Sequence, residues 1–579
     1  MLSIIPIIVC GIPILIEVVK DAKNKEISAE ALVLMALIGC VILQEYIAAA
    51  EVAIIMAIGE LLETIVTTHA RSGMDSLGRL KVSEVNLLID GKVSKVAVNE
   101  VPIGSIIRIF PGETVPLDGI VIDGDSSIDK SMMTGESIPV DVMKGDEVFA
   151  GTSNLYGSID VEVTRTDEDS MLSRMAELLE NADADKSKMV NTADRWAKWI
   201  LLGAAIITIL TYLYTRDVYR ALTIMVVFCP CAFVLATPTG IMAAAGNMAK
   251  KGILLRDASA IEGMNGVDTI LFDKTGTLTT GNITSLGFTA INTECDTSII
   301  EGMSSSLESR SEHPLGRAIA RDHTPMGTME DFRNIPGQGV MGIVNGHRMA
   351  IGNKLLMQSQ CSENLEDVIN SIDGRPFTTV LVGMDGRTIG YFALEDRVKE
   401  DSATAINELR DLNVKTIMLT GDSRMVGSHV AERLGMDDVV WECLPETKLK
   451  VVSSLEEKGN ICMIGDGMND APSLKRATVG ISMGSMGNDL AVGSSDVMIM
   501  NDDIGRIPGL VRLCRRSVRT IIAGLTLSMT INIIGVILGI VGTIGPIEGA
   551  IIHNLGSFFV ILLAASLLWA DVWNQKIAS

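Results

Sequence analysis

Apolar stretches long enough to cross a membrane alternate with polar blocks along this chain, and this alternation constrains its fold more than any other feature. A helix needs about 20 apolar residues to cross the hydrocarbon core of a bilayer. Stretches that meet or approach this length lie at 3–19, 30–47, 48–66, 198–214, 221–246, 521–543 and 547–570. Hydrophobic residues make up 47% of the chain although 21% of its residues are charged, which fits membrane helices alternating with soluble domains. The sequence therefore predicts a multidomain membrane protein.

Two polar blocks, at 75–190 and 250–515, lie between the apolar stretches. The first contains short apolar runs separated by turn residues, a pattern that predicts a small β-rich domain. The second alternates strand-like runs such as 269–273 with helical segments, which is typical of a parallel α/β sheet. Within it, residues 283–392 carry glycine-rich turns and hairpin patterns, so we expect an inserted α+β domain there.

Charge and cysteine usage restrict the class of protein further. The net charge is −23, from 48 Lys and Arg against 71 Asp and Glu, and such an acidic balance disfavours nucleic acid as a partner. The nine cysteines form no repeating framework, which is typical of reduced thiols in a cytosolic setting. Because paired spans must flank the two blocks, segment 3–19 has no partner. Either Met1 lies on the outer side of the membrane or a preceding membrane helix is missing from this sequence, and we favour the missing helix.

The segment 273–279, Asp-Lys-Thr-Gly-Thr-Leu-Thr, follows the apolar run Thr269–Phe272. Open α/β sheets place their active sites at the carboxyl ends of parallel strands. A carboxylate there can attack a phosphoryl group, so Asp273 is predicted to form an aspartyl-phosphate. Lys274 and the amides of the turn can neutralise the group in transfer.

Two further acidic motifs again end apolar runs. They are Thr420-Gly421-Asp422 and the segment 465–470, which carries Asp466 and Asp470. Carboxylate oxygens are the ligands that Mg²⁺ prefers, so Asp466 and Asp470 are expected to join Asp273 around Mg²⁺, with Thr275 in the same site. Lys448 can add a further cation for the phosphoryl oxygens.

In this order and spacing, the motifs at 273–279, 420–422 and 465–472 resemble those of the P-type ATPases. The segment Thr134-Gly135-Glu136-Ser137 in the β-rich block is similar to the actuator loop of that family. The resemblance spans about 30–570 and implies that Glu136 positions the water that hydrolyses the aspartyl-phosphate. It also implies an α-helical transmembrane bundle, a β-rich actuator domain and a haloacid-dehalogenase-like phosphorylation domain with an inserted nucleotide-binding domain.

The predicted insert carries short motifs that resemble the ATP site of the heavy-metal branch of the family. In that branch a histidine and glycines hold the adenine end of ATP, which implies roles for His313, Gly337, Gly339, Gly352 and Asn353. The same resemblance makes Glu308 a further contact. The sequence contains no G-x-x-x-x-G-K-[ST] loop, which argues against a P-loop motor.

Cys229-Pro230-Cys231 lies inside the apolar stretch 221–246. Pro230 removes a backbone hydrogen bond and opens the helix, and thiolates beside the break suit soft or borderline ions such as Cu⁺, Zn²⁺ or Cd²⁺. Two buried cysteines packed around a kink would leave the same pattern. Cys-Pro-Cys resembles the mark of the heavy-metal pumps, and this resemblance favours an ion site.

The identity of the ion depends on polar residues in the last two apolar stretches. Asn532 and His553 lie at membrane depth, where polar groups are functional candidates, and histidine is a zinc ligand. The Tyr-Asn and Met-x-x-Ser-Ser of copper pumps and the Lys and Asp-x-Gly of zinc and cadmium pumps are absent from these stretches. We favour Zn²⁺ or Cd²⁺, with Cu⁺ and Mn²⁺ as alternatives. Glu60 and Glu63 share a helix face and suit either the mouth of the ion path or a solvated helix end.

These motifs predict that the protein exports a transition-metal ion across a cell membrane. ATP with Mg²⁺ drives the export, and the soluble domains of the protein are expected in the cytoplasm. Membrane lipid and a cytosolic metal donor are the expected partners. A membrane-tethered phosphatase without transport and a metal sensor without turnover are the competing hypotheses. No Cys-x-x-Cys precedes the first apolar stretch, so we expect no appended metal-binding domain.

The predicted domain bounds follow the motifs. They are 1–74 and 191–250 for membrane helices, 75–190 for the actuator domain, 251–282 and 393–515 for the phosphorylation domain, 283–392 for the nucleotide-binding domain, and 516–579 for the last two membrane helices.

Overall fold

The computed structural model describes most of the chain in two compact units. The described residues are 4–23, 30–42, 44, 46–78, 82–89, 92–130, 139–173, 187–228, 231–291, 295–311, 313–361, 363, 365–372, 377–466, 470–484 and 494–573. One unit comprises residues 1–266, 485–501 and 507–579, and the other comprises residues 267–484 and 502–506.

The first unit begins with three helices. They are α1 (Ile4–Lys23), α2 (Glu30–Ile42) and α3 (Tyr46–Gly78). A left-handed residue, Gln44 with φ of 62°, lies in the short connection between α2 and α3 and turns the chain back on itself. These two helices therefore form a hairpin whose apolar side chains share one core. Helix α3 runs a dozen residues beyond the predicted apolar stretch because its last turns are polar and hydropathy does not detect them.

The β-rich part of this unit consists of short antiparallel strands. They are β1 (Glu84–Ile89), β2 (Lys92–Ala97), β3 (Ile106–Ile109), β4 (Gly119–Asp123), β5 (Ser126–Asp129), β6 (Val140–Val142), β7 (Glu147–Val148), β8 (Ser153–Asn154) and β9 (Ile159–Val163). Six of them form a sheet of order β2-β1-β3-β9-β4-β7, and β6-β5-β8 form a second sheet. Alternate Val and Ile side chains of both sheets share one buried core.

Asp118 ties this core together although it is only 2% exposed. Its carboxylate accepts hydrogen bonds from the backbone amides of Ala150 and Met171, each at 2.8 Å. Arg165 Nη1 lies 3.6 Å from its Oδ2. A buried carboxylate with this many partners connects the strand edge before β4 to two later loops.

Three helices follow the β-rich part. They are α4 (Lys188–Thr215), α5 (Val218–Val227) and α6 (Cys231–Ala249). Ser187 and Asp217 cap α4 and α5 by accepting hydrogen bonds from Val190 N and Tyr219 N. Helix α5 ends at Val227 and α6 begins at Cys231, and Cys229 and Pro230 between them lie outside the described residues.

The segment after α6 leads into the α/β region. Strand β10 (Ile253–Leu255) and helix α7 (Ser259–Asn265) belong to the first unit. The second unit starts with β11 (Thr269–Asp273), whose residues 270–273 are buried. A single wide turn, Lys274–Leu278, follows β11 and contains Gly276 at φ of 73°.

An inserted α+β domain occupies the centre of the second unit. Its elements are β12 (Thr279–Ala290), α8 (Thr297–Glu308), α9 (Pro314–Asp322), β13 (Met329–Ile335), β14 (Gly339–Val344), β15 (His347–Gly352), α10 (Lys354–Gln360), α11 (Leu365–Ile372), β16 (Thr378–Met384) and β17 (Arg387–Val398). The six strands form one antiparallel sheet of order β12-β17-β16-β15-β14-β13. Phe288, Phe392 and Leu307 lie in the core between the sheet and α8. The first and last strands of the insert, β12 and β17, are neighbours in this sheet, so the insert leaves and returns at one point.

The chain then completes the parallel sheet of the second unit. The elements are α12 (Ser402–Asp411), β18 (Lys415–Leu419), α13 (Arg424–Leu434), β19 (Asp438–Val440), α14 (Pro445–Glu456), β20 (Ile461–Gly465), α15 (Ala471–Arg476) and β21 (Val479–Met483). Five strands lie parallel in the order β21-β20-β11-β18-β19. This is the doubly wound arrangement that alternating strand and helix patterns predict.

The C-terminal part returns to the first unit. Strand β22 (Val497–Ile499) pairs antiparallel with β10, and two long helices follow, α16 (Arg506–Val541) and α17 (Pro546–Ala565). Helix α16 begins 15 residues before the predicted apolar stretch because its first four turns carry arginines. Among the described residues, three helical segments are long and apolar enough to cross a membrane, namely Met189–Thr215, Arg506–Val541 and Pro546–Trp569.

Candidate active site

The register of the parallel sheet brings the predicted acidic motifs to one edge. Asp273, the last residue of β11, pairs with Leu419, so Thr420 and Asp422 follow at the neighbouring strand end. On the other side Phe272 pairs with Ile464, which puts Gly465 and Asp466 beside Asp273. The convergence predicted from three separate motifs is thus a consequence of strand register.

A buried ion cluster lies at this edge. Lys448, from the first turn of α14, donates to Asp273 Oδ1 at 2.6 Å and to Asp470 Oδ1 at 2.9 Å. The side chains of Lys448 and Asp273 are each 10% exposed and that of Asp470 is fully buried. One lysine therefore neutralises part of the charge of two carboxylates in a low-dielectric environment.

The environment shifts the protonation of all three groups. Burial, reinforced by Asp470, raises the pKa of Asp273 to about 6, although Lys448 opposes the shift. Burial also raises the pKa of Asp470. Burial alone would lower the pKa of Lys448, but Asp273 and Asp470 outweigh it, so the pKa is raised and Lys448 stays charged.

Lys274, directly after Asp273, forms an ion pair with Asp422 of the neighbouring loop. Its ammonium lies 2.6 Å from Asp422 Oδ2, and its side chain is 10% exposed. Lys274 therefore links the turn after β11 to the Thr420-Gly421-Asp422 loop. Thr420 is buried, and its hydroxyl accepts a hydrogen bond from Asp422 N at 3.1 Å, which fixes that loop.

Glycines allow the acidic loops to approach one another. A Cβ on Gly465 would lie 2.4 Å from Asp470 Oδ2, so only glycine fits beneath that carboxylate. Within the described residues, Asp470 Oδ2 is buried and has no hydrogen-bond partner. An orphaned carboxylate oxygen beside Asp273 and Asp466 suits an additional cation. No group of three or more acidic, histidine or cysteine side chains in the described part of the chain already has the geometry of a metal site.

The predicted nucleotide-binding residues fall into two clusters in the inserted domain. In the first cluster, Asn353 donates through Nδ2 to Gly337 O and through its backbone amide to Gln338 O, both at 2.8 Å. A Cβ on Gly339 would lie 2.2 Å from Ile351 O, and one on Gly352 would lie 2.2 Å from Gln338 O. The glycines are therefore required for two turns to pack directly on each other, with Gly337 at their exposed end.

The second cluster surrounds Glu308 at the end of α8. Glu308 is 5% exposed, and burial raises its pKa to about 7 although a hydrogen bond with Ser311 opposes the shift. A Cβ on Gly316 would lie 2.1 Å from Glu308 Oε2. His313 is exposed, and its Nδ1 accepts a hydrogen bond from Leu315 N at 3.3 Å, which leaves Nε2 directed away from the cap of α9.

The membrane helices bring the predicted ion ligands toward the helix break. A Cβ on Gly535 would lie 2.5 Å from Val227, and one on Gly549 would lie 2.8 Å from the same side chain. Asn532 and His553 are one turn from these glycines, on the faces of α16 and α17 that pack around the end of α5. Both are buried, at 5% and 3% exposure. The structure thus places two buried polar groups near the end of α5.

Asn554, the neighbour of His553, packs against α3 instead. Its Nδ2 donates to Ile55 O at 2.6 Å, and a Cβ on Gly59 would lie 2.4 Å from its Oδ1. His553 and Asn554 are adjacent in a helix and therefore point in different directions, and the structure shows which neighbour Asn554 meets.

Some predicted site residues lie outside the described part of the chain. These are Glu136 with the rest of its loop, Cys229, and the side chains of Cys231, Glu60 and Glu63. Their roles remain predictions, as do the predicted domain bounds.

A buried aspartate at a strand end of an α/β sheet, paired with lysine and a second aspartate, is suited to phosphoryl transfer. Because the same chain carries helices apolar enough to cross a membrane, the fold and site define a membrane-bound phosphoryl-transfer enzyme.

Comparisons with known proteins define the family. Residues 267–478 match the haloacid dehalogenase-like hydrolase family, and residues 79–180 match the P-type ATPase actuator domain. The chain is 34% identical to a probable cadmium-transporting ATPase of Staphylococcus aureus (strain MRSA252), over 92% of this chain and 76% of the relative. It is 33% identical to the cadmium/zinc-transporting ATPase HMA2 of Oryza sativa subsp. japonica, over 97% of this chain and 54% of that protein. A crystal structure of a zinc-transporting PIB-type ATPase in the E2.Pi state superposes with a TM-score of 0.65 at 29% identity, over 98% of this chain and 94% of the other.

The chain belongs to the heavy-metal-transporting P-type ATPases. It is a membrane protein and an enzyme that couples ATP hydrolysis to ion transport. The fold class predicted from the sequence is confirmed.

Proposed function

We propose that this protein exports Zn²⁺ or Cd²⁺, and that Asp273 is the residue that accepts the phosphoryl group of ATP. The role of Asp273 is supported by one observation at the carboxyl ends of β11 and β20. There Lys448 contacts Asp273 at 2.6 Å and Asp470 at 2.9 Å. The metal-transporting relatives support the first part.

Phosphoryl transfer follows from the positions of these charges. A carboxylate oxygen of Asp273 attacks the γ-phosphorus of ATP, and the bond from that phosphorus to the bridging oxygen breaks, which releases ADP. Lys448 occupies Oδ1 of Asp273, which leaves Oδ2 as the attacking atom. As negative charge moves onto the phosphoryl oxygens, the ammonium of Lys448 stabilises it without any rearrangement.

Asp273, Thr275, Asp466 and Asp470 would hold Mg²⁺ at this edge. The unpartnered Oδ2 of Asp470 fits such a cation, because Mg²⁺ binds through one or two carboxylates together with phosphate oxygens. When bound, Mg²⁺ neutralises charge on the phosphates of the nucleotide. Lys274 and Asp422 hold the flanking loops in place around this site.

ATP is proposed to bind the inserted domain through its two clusters. Gly337 faces open space and presents backbone to a flat ring, and Asn353 fixes the turn that carries it. Glu308, whose pKa is raised to about 7, can donate a hydrogen bond to a ring nitrogen as a neutral acid or accept one from an amino group as a carboxylate. His313 lies exposed at the start of α9, next to the Glu308 cluster.

The chemistry of the predicted donor atoms indicates which ion is transported. The thiols of Cys229 and Cys231 and the imidazole of His553 suit Zn²⁺ and Cd²⁺, whereas a hard ion would prefer carboxylates. Asn532 adds a neutral oxygen. Cu⁺ and Mn²⁺ are the alternative ions, and the test below separates them. Hydrolysis of the phosphoenzyme is assigned to a water positioned by Glu136.

The phosphorylation proposal is tested with Asp273→Asn in the full-length protein in lipid vesicles. Wild type incubated with radiolabelled ATP is expected to retain label after acid quenching and to lose it in alkali or hydroxylamine, as an acyl phosphate does. Asp273→Asn is expected to retain no label. Asp268→Asn, an exposed carboxylate at the start of the same strand, is the matched control and should label normally. Labelling of Asp273→Asn would overturn the assignment.

The cargo is tested by metal-dependent ATPase activity across Zn²⁺, Cd²⁺, Cu⁺, Co²⁺ and Mn²⁺. Stimulation by Zn²⁺ and Cd²⁺ that is lost in Cys229→Ala supports the proposal. Cys295→Ala, an exposed thiol outside the membrane helices, should leave stimulation unchanged. Stimulation by Cu⁺ or Mn²⁺ alone would replace the proposed ion, and activity that no metal stimulates would contradict transport.

A further inference from the structure

A lysine that belongs to none of the motifs at 273–279, 420–422 and 465–470 holds the turn that follows Asp273. Lys399, just after β17, donates through Nζ to Gly276 O at 3.3 Å. The same ammonium lies 3.0 Å from Asp502 Oδ2, and the Lys399 side chain is 12% exposed. All three residues belong to the second unit.

The backbone amide of Thr279 donates to Lys274 O at the start of the turn, whereas the carbonyls of Gly276 and Leu278 accept hydrogen bonds from side chains outside it. Residues 274–278 form a wide turn in which Thr275 and Gly276 depart from helical geometry, with Gly276 at φ of 73°. Carbonyls in such a turn have no ladder partner and must be satisfied by other groups. Leu278 O accepts hydrogen bonds from Lys399 N at 3.1 Å and from Ser402 Oγ at 3.0 Å. Lys399 and Ser402 therefore hold two carbonyls of one turn.

Asp502 fixes the position of the Lys399 ammonium. A Cβ on Gly484 would lie 2.7 Å from Asp502 Oδ1, so the carboxylate rests directly on that glycine. Gly484 is itself left-handed, with φ of 63°. Asp502 lies four residues before Arg506, the first residue of α16. The pair thus joins the turn beside Asp273 to the segment that leads into a membrane helix.

We propose that Lys399, held by Asp502, is a positioning residue for phosphoryl transfer that fixes the turn beside Asp273. It does not touch the reacting atoms in this arrangement. It keeps the amides of the turn oriented toward the phosphoryl site, and loss of such orientation lowers the rate of transfer. This inference rests on the proposed role of Asp273.

The test measures phosphoenzyme formation by rapid quench in the full-length protein for wild type and five variants. Lys399→Met is expected to slow formation about 10- to 100-fold, with the KM for ATP unchanged because the inserted domain is not altered. Lys399→Arg keeps a cation that can donate to both partners and should restore most of the rate. Lys415→Met removes an exposed lysine from another ion pair of the same unit, with Asp438 at 3.6 Å, and should behave as wild type.

A double-mutant cycle separates positioning from general loss of stability. Asp502→Asn alone should slow formation, and the double variant Lys399→Met/Asp502→Asn should be no slower than Lys399→Met, since the two residues act as one unit. Thermal unfolding is measured alongside, and all variants should unfold within a few degrees of wild type. A normal rate in Lys399→Met, additive effects in the cycle, or a failure of Lys399→Arg to restore the rate would overturn this inference. If wild type forms no phosphoenzyme, the proposed role of Asp273 fails instead.

Discussion

The buried carboxyl group of Glu308 allows a stability prediction whose size follows from the structure. Burial raises its pKa from 4.5 to about 7, and one pKa unit corresponds to about 1.4 kcal/mol. Ionised Glu308 at pH 8 therefore destabilises the folded inserted domain by about 3 kcal/mol. Because the pKa of Glu308 is higher in the folded than in the unfolded state, its contribution to the stability of the folded domain is fully present below pH 4.5. That contribution is lost as pH rises through 7.

Glu308→Gln makes the group permanently neutral with almost the same shape. At pH 8 the variant should be more stable than wild type by about 3 kcal/mol, and at pH 5 the difference should shrink to less than about 1 kcal/mol. The assay is hydrogen exchange with mass spectrometry on the full-length protein without nucleotide, corrected for intrinsic rates, which reports on the slowest amides of α8 and β14. Nucleotide is omitted because its binding would itself stabilise the domain.

The matched control is Glu366→Gln, the same chemical change at an exposed position of α11. It should change protection little at either pH. Equal stabilisation by Glu308→Gln at pH 5 and pH 8 would refute the reasoning, because a gain that does not depend on pH cannot come from ionisation. The absence of any gain at pH 8 would refute it as well.

Three other predictions concern the remaining parts of the machinery. Lys448→Met leaves two buried carboxylates without their cation and should slow phosphoenzyme formation at least about 100-fold. Lys450 is exposed, so Lys450→Met should not slow it. Equal rates for the two variants in quenched-flow labelling would contradict this prediction. Asp118→Ala removes the acceptor of two backbone amides and should lower the stability of the β-rich domain by about 3 kcal/mol, measured by urea unfolding, and an unchanged midpoint would show that the contacts contribute nothing. Gly339→Ala forces a Cβ to within 2.2 Å of a carbonyl and should weaken binding of a fluorescent ATP analogue at least about tenfold, whereas Gly337→Ala meets open space and should weaken it less; the reverse order would contradict the proposed turn.

The sequence predicted the elements that depend on local pattern. The apolar stretches, the parallel sheet and the position of Asp273 at a strand end all follow from periodicity and strand-ending motifs. The limits of helices α3 and α16 did not follow, because hydropathy detects only the apolar part of a helix that continues through polar turns.

The candidate site likewise combines features that the sequence predicts with features that only the tertiary structure shows. The sequence alone determined which side chains carry charge near the strand ends, because each motif directly follows its own apolar run. Only the tertiary structure decided that Lys448 lies between Asp273 and Asp470, that Lys274 pairs with Asp422, and that Asn554 contacts α3. Lys399 carries no sequence signal at all, since its partners are 123 residues earlier at Gly276 and more than a hundred later at Asp502. Contacts between distant segments depend on how helices and loops pack, and packing is a property of the whole folded chain.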